Sequence, residues 1–158
     1  MKKSIVKTGF VGAFALVAAT AFAQNSDISK EQAEHAIETR QSIFHLQGWA
    51  MGPLGGMLKR QIEFDANLAK QSGERISHLA PMITDAFQTD TRGFDIETEA
   101  LDTIWENKDD FAKKADRLVQ AANELVAAAE SGDQGKTLRA AAVVGKACGA
   151  CHDAYRSD

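Results

Sequence analysis

The sequence predicts an all-α protein, an antiparallel four-helix bundle. Three observations carry this. Good helix formers dominate: Ala, Leu, Lys, Glu and Gln recur throughout, with one Tyr and few β-branched runs. Four stretches repeat apolar or small residues at steps of three and four, the period of a buried helix face. No stretch alternates convincingly with the period of two that a half-buried strand requires. Such seams suit the shallow crossing angles of a bundle.

Capping and punctuation place the elements. Residues 1–23 read as a secretory signal peptide, outside the fold. Lys2, Lys3 and Lys7 form its basic start, an apolar stretch runs from Gly9 to Ala19, and Ala21-Phe22-Ala23 is a small-residue cleavage site. The apolar stretch is short for a membrane span, and no later segment approaches the roughly 20 apolar residues a span needs. An uncleaved N-terminal anchor is the alternative. Residues 24–158 then make one domain with one core, expected in a bacterial periplasm.

Ser29 can cap the first helix, with Gln32 three residues on completing a capping box. Its stripe is Ala33, Ile37, Arg40, Phe44, Gln47 and Met51, with polar residues intruding. It should run to about Lys59, disturbed near Gly52-Pro53 and Gly55-Gly56. Asp65 can open the second helix, whose stripe is Ile62, Ala66, Ala69, Gly73, Ile76 and Ala80 and whose end is expected near Pro81. A long connection, about 84–103, follows. The third helix, about 104–130, carries Phe111, Ala115, Leu118, Ala122, Leu125 and Ala129. Ser131-Gly132-Asp133 is a turn into the fourth, which reaches about Arg156 and carries Leu138, Ala141, Gly145, Cys148, His152 and Tyr155. Short links make the first and second helices, and the third and fourth, antiparallel neighbours.

The formal net charge is −4, and without the three signal lysines it is −7. That argues against nucleic acid, which needs a basic surface.

Chemistry concentrates near the C-terminus. Cys148-Gly149-Ala150-Cys151-His152 is a C-x-x-C-H run, which in an exported protein is the attachment site of one covalent haem c. The two thiols add across two vinyl groups, and the adjacent imidazole of His152 coordinates the iron. On a helix, Cys148, Cys151 and His152 share one face. The small residues Ala140, Ala141, Ala142, Gly145, Ala147, Gly149 and Ala150 leave room for a flat macrocycle, although Ala-rich helices are also simply good helices. Three other readings stay open. A thioredoxin-like pair needs a βαβ setting, a zinc site needs a fourth ligand such as His35, His45 or His78, and a Cys148–Cys151 disulfide leaves His152 unexplained.

With the motif on its last helix, the chain resembles the cytochrome c′ family of exported four-helix haem proteins. The resemblance spans the mature chain. It rests on the run from Cys148 through Asp153, Ala154, Tyr155 and Arg156, on Arg40-Gln41-Ser42 in the first helix, and on Ile104-Trp105 before the third. It implies His152 as proximal ligand and Phe44, four residues after Arg40, at the distal position. Phenylalanine has no lone pair to donate, so the implied haem is five-coordinate with an apolar distal face. The resemblance also implies that Arg40 and Gln41 hold a haem propionate, that Glu99 lies near one, and that Arg156 lines the proximal side. A homodimer through the first two helices is implied too, with Leu46, Trp49 and Leu68 off the main stripes as candidate contacts. Met51 and Met57 read as core or interface residues, and His45 should point away from the iron.

The expected function is binding of small gases, nitric oxide and carbon monoxide, with transfer of single electrons. The alternative is a six-coordinate, low-spin electron carrier with a redox partner protein. An enzyme such as a peroxidase would need a distal acid–base pair where Phe44 stands.

Overall fold

The computed structural model describes residues 28–157, and the expected signal peptide, residues 1–23, lies outside them. The described residues form five α-helices and no strand: α1 Lys30–Leu58, α2 Ala66–Ala86, α3 Thr103–Glu106, α4 Lys108–Glu130 and α5 Gln134–Tyr155. The four long helices make the bundle.

Local chemistry fixes most boundaries. Ser29 caps α1 with the full capping box, its hydroxyl accepting from Gln32 N–H and the Gln32 side chain accepting from Ser29 N–H. Asp65 caps α2 by accepting from Leu68 N–H at 3.0 Å, and Asp133 caps α5 by accepting from Lys136 N–H at 2.8 Å. Gly132, at φ +70°, supplies the left-handed residue of the α4–α5 turn.

Two expectations need correction. Pro81 does not end α2, which runs on to Ala86. Ile83 and Phe87 beyond it are buried in the core, and their packing outweighs one missing hydrogen bond. The third predicted helix is two: Asn107, at φ −128° and ψ 47°, breaks it between α3 and α4. Ile104 and Trp105, just before the break, are buried in the core. At the first helix the expected disturbance is absent, and α1 is continuous through Pro53, held by buried Leu54 and Met57.

α2 lies antiparallel on α4, as the pairs Lys70–Glu130 at 2.8 Å, Ser77–Asn123 at 2.7 Å and Phe87–Phe111 at 5.0 Å between ring centres establish. With short α1–α2 and α4–α5 links, α1 is therefore antiparallel to α5. Leu54, Ile76, Leu125 and Val144, one from each long helix, are each at most 1% exposed and mark the core. The α2–α4 seam is the tightest: a Cβ added at Gly73 would lie 2.9 Å from Val126 Cγ2 and 3.2 Å from the Ala122 carbonyl oxygen. α1 packs chiefly on α2 and meets α5 along only a short stretch.

Candidate haem site

The C-terminal half of α5 carries the motif. Its helical backbone is continuous through residue 155, so Cys148, Cys151 and His152 fall on one face, as their spacing requires. Both cysteines are free thiols, half-buried against the core. Burial pushes both thiols above their ordinary pKa. Burial first, and then the charge of Arg156, hold His152 below the usual imidazole value, favouring the neutral ring that has a lone pair for a metal. Among the described residues no three His, Cys, Asp or Glu side chains converge as a metal cluster, so no fourth zinc ligand joins these three.

The end of α5 is tied to the segment before α3. Leu101 N–H donates to the Tyr155 carbonyl at 3.0 Å, and Ser157 N–H donates to the Glu99 carbonyl at 2.9 Å. Arg156 is not on the helix. It is the extended C-cap, its N–H donating to the His152 carbonyl, and its Nε lies 3.9 Å from the Glu99 carboxylate. The structure thus brings Glu99 and Arg156 together as an exposed pair beside His152.

Arg40 is the most constrained of the expected site residues, at 3% exposed. Its Nε donates to the Ala86 carbonyl at 2.9 Å, Nη1 to Thr91 Oγ1 at 2.9 Å and Nη2 to the Thr89 carbonyl at 2.5 Å. The guanidinium also lies 4.5 Å from the Phe87 ring centre and 5.2 Å from that of Trp105. It therefore clamps the α2 C-terminus and the following loop, a role the sequence did not announce because its partners are carbonyls and a threonine in an aperiodic segment. Two of its five N–H groups are left over. None of the ion pairs among the described residues includes Arg40; burial lowers its pKa, and the nearby charge of Asp90 partly offsets this. Gln41, next to it, is exposed.

Phe44 is 38% exposed, not the enclosed core residue that its stripe suggests. It leans on Phe87 at 6.3 Å, and Phe87, Phe111 and Tyr155 continue an aromatic chain across the bundle at 5.0 and 5.3 Å. Tyr155 in turn donates to the Asp110 carboxylate at 2.8 Å. Met51 lies across from α5: a Cβ added at Gly145 would sit 3.9 Å from its Cε. Since α1 and α5 are antiparallel, counting back from that pair puts Phe44 and Gln47 towards the half of α5 that carries Cys148, Cys151 and His152. Met57 is core, its sulfur accepting from Asp65 N–H, while His35, His45 and His78 are exposed.

The arrangement fits a flat anionic macrocycle between α1 and α5. Two thiols and an imidazole share one face of α5 among small residues, a buried cation takes part in none of the ion pairs among the described residues, and the shielded Gln47 Nε2 has no hydrogen-bond partner. Comparison with known proteins agrees. The family described as Cytochrome C' matches residues 35–156. This chain belongs to the cytochrome c′ family. It is 32% identical over 129 residues to the cytochrome c′ of Halomonas halodenitrificans, covering 79% of this chain and 98% of that one. The solved cytochrome c prime of Shewanella frigidimarina is 35% identical, with a TM-score of 0.74 over 82% of this chain and all of that one. A nitric oxide complex of a mutant cytochrome c prime from Alcaligenes xylosoxidans is 32% identical, with a TM-score of 0.70 over 80% of this chain and 97% of that one. As a cytochrome c′ the chain binds covalent haem c, and Cys148 and Cys151 are the thiols that fit its attachment.

Proposed function

We propose that this cytochrome c′ holds a five-coordinate haem in the periplasm, where it binds small gases, nitric oxide above all, and passes single electrons. What supports this is that α1 runs antiparallel to α5, with Phe44 towards the half of α5 that carries His152. When bound, the haem would supply an iron able to take a small ligand on its open side or to change oxidation state by one electron. The protein's part is to leave that side without a ligand of its own. Phe44 offers only carbon and hydrogen there. Met51 is seven residues further along α1, about 10 Å along the axis, too far for its sulfur to reach the same level. His45 is on the exposed face of α1. A nitric oxide complex exists for the similar Alcaligenes xylosoxidans protein, in line with this reading.

Arg40 completes the site from the loop side. Its two remaining N–H groups are suited to a haem carboxylate, which would pair the cation directly where Asp90 acts only from a distance. Gln41 is exposed beside it and can reach the same group. Glu99 is paired with Arg156 in the protein alone, so we assign the two as a proximal-side pair rather than Glu99 as a propionate contact. The side chains that α1 directs along this stripe are Arg40, Phe44, Gln47 and Met51. None is a base, so we read the protein as a binder and carrier rather than a peroxidase. We extend the proposal to a homodimer through α1 and α2. Trp49, 60% exposed, and Leu46 leave an apolar face on α1, and Arg75 from α2 lies 4.3 Å from the Trp49 ring centre. Leu68 is partly buried against the core and is not part of that face.

The test is substitution at Phe44. Phe44→Ala should accelerate carbon monoxide binding to the reduced protein. The stability cost should fall below the roughly 3–5 kcal/mol of a fully buried aromatic, because the ring is partly exposed. Phe44→Met places a thioether at the same level and should convert part of the population to a low-spin state, most clearly when reduced. Carbon monoxide kinetics unchanged by Phe44→Ala would place the open side elsewhere.

A further inference from the structure

Gln47 is the polar side chain that the proposed function leaves without a task. It sits in the buried row of α1: Arg40, Ile43, Gln47, Ala50, Leu54 and Met57 step by 3-4-3-4-3, and every other member is at most 9% exposed. A buried row is an expensive place for an amide, because a shielded donor without an acceptor has lost its water for nothing. Yet Gln47 Nε2 is shielded from solvent and has no hydrogen-bond partner. It is the only buried side-chain nitrogen among the described residues of which this holds.

Its position says where the missing acceptor lies. Gln47 follows Phe44 by three residues and precedes Met51 by four, so it lies between them on the helix surface that faces α5. The Met51–Gly145 approach puts this stretch of α1 towards the half of α5 that carries Cys148, Cys151 and His152, and Gln47 lies less than one turn from Phe44. The acceptors that a haem brings with it are its two carboxylates. Those belong with Arg40, two helical turns away from Gln47. What remains within reach of the amide is the space beside Phe44, where a ligand would enter.

We propose that Gln47 is the specificity-determining polar group of an otherwise apolar distal pocket, its amide N–H donating a hydrogen bond to the outer atom of a small ligand on the iron. The chemical class it favours is a diatomic molecule whose outer atom carries negative charge when bound. Phe44 selects by size, and Gln47 selects by charge. The amide also stabilises a ligand that the ring alone would merely admit. This rests on the five-coordinate reading, since a protein ligand on the iron would occupy the same space.

The experiment compares haem-loaded wild type with Gln47→Met, which keeps the volume and removes the donor, and with Gln47→Asn, which withdraws the donor by one methylene. Carbon monoxide and nitric oxide are the probes. The infrared C–O stretch should be lower in wild type than in both variants, because a donor at the outer oxygen draws electron density into the antibonding orbitals. Release of nitric oxide should be roughly fivefold faster in Gln47→Met, the worth of one neutral hydrogen bond. An identical C–O stretch and release rate in all three proteins would overturn the proposal, even if thermal stability changed, for that pattern is a purely structural amide. The optical spectrum of ligand-free wild type is read first. A low-spin spectrum there defeats the five-coordinate reading, while the C–O stretches still decide Gln47.

Discussion

Two seams of the bundle differ in how they are closed. Between α2 and α4 the protein closes itself: Gly73 has no room for a methyl group, Ser77 and Asn123 bond across the seam, and Phe87 meets Phe111 edge to face. Between α1 and α5 it does not. That seam holds a partly exposed phenylalanine and a shielded amide without an acceptor on α1, and two half-buried thiols on α5. Beside it, Arg40 bonds only two carbonyls and a threonine at the end of α2 and in the loop beyond. Buried polar groups are normally paired, and Gln47 Nε2 is one of two buried side-chain polar atoms without a partner among the described residues, the other being Ser72 Oγ on α2. The simplest physical account is that the second seam is complete only with its cofactor in place, so its side chains are selected for that contact rather than for each other.

The largest effect should come from removing the cofactor's anchors. Cys148→Ala with Cys151→Ala should yield a chain whose mass includes no haem after denaturation. Hydrogen exchange should then accelerate in α1 and the second half of α5 while the α2–α4 amides stay protected. Uniform loss of protection across all four helices would mean that the two seams are not independent. Arg40→Leu comes next. It strips three hydrogen bonds from the α2 C-terminus and its loop and should cost about 3 kcal/mol in denaturant unfolding of the holoprotein. A shift in reduction potential should accompany it, because the haem carboxylate loses its cation. Unchanged potential would confine Arg40 to the loop clamp already described.

Glycine substitutions sharpen the contrast more gently. Gly73→Ala gains about 1 kcal/mol of helix propensity but presses a methyl group on Val126 and a carbonyl, and overpacking of about 1–3 kcal/mol should win, lowering the thermal midpoint. Gly48→Ala, on the exposed side of α1 with nothing within 4 Å of the new carbon, should raise the midpoint by the propensity alone. The smallest effect is titration of Tyr155. Burial and the Asp110 carboxylate push its phenol up to about 12. The neutral phenol is thus favoured in the folded state, so its contribution is complete below the ordinary value of 10 and is lost as pH rises through about 12. The same bond holds Asp110 below the usual carboxylate range, a contribution present above 3.8 and lost as acid protonates it. Tyr155→Phe should flatten both limbs of the stability–pH curve.

What the sequence disclosed and what it hid divide along physical lines. Ser29, Asp65, Gly132 and Asp133 act within one turn of themselves, and each boundary they predict is found. The spacing of Cys148, Cys151 and His152 is likewise local. Pro81 misleads, and the break at Asn107 leaves no signal of its own, because long-range packing of Ile83, Phe87 and Trp105 decides whether a helix continues there. Arg40's partners were hidden because main-chain carbonyls leave no mark in a sequence, and the Glu99–Arg156 pair depends on a segment more than fifty residues upstream folding back on the C-terminus. Gln47 was visible only as a polar intruder in an apolar stripe; its meaning required knowing that nothing in the protein bonds to it.

The central claim is that the α1–α5 seam encloses a haem with one side left open by Phe44. An optical and electron paramagnetic resonance spectrum of purified wild-type holoprotein, oxidised and then reduced with no ligand added, tests it most directly. The account predicts a predominantly high-spin, five-coordinate iron in both states, turning low-spin only when carbon monoxide or nitric oxide is admitted. A low-spin, six-coordinate spectrum before any ligand is added would contradict it, for a side chain of the protein would then already fill the place that Phe44 is held to leave free.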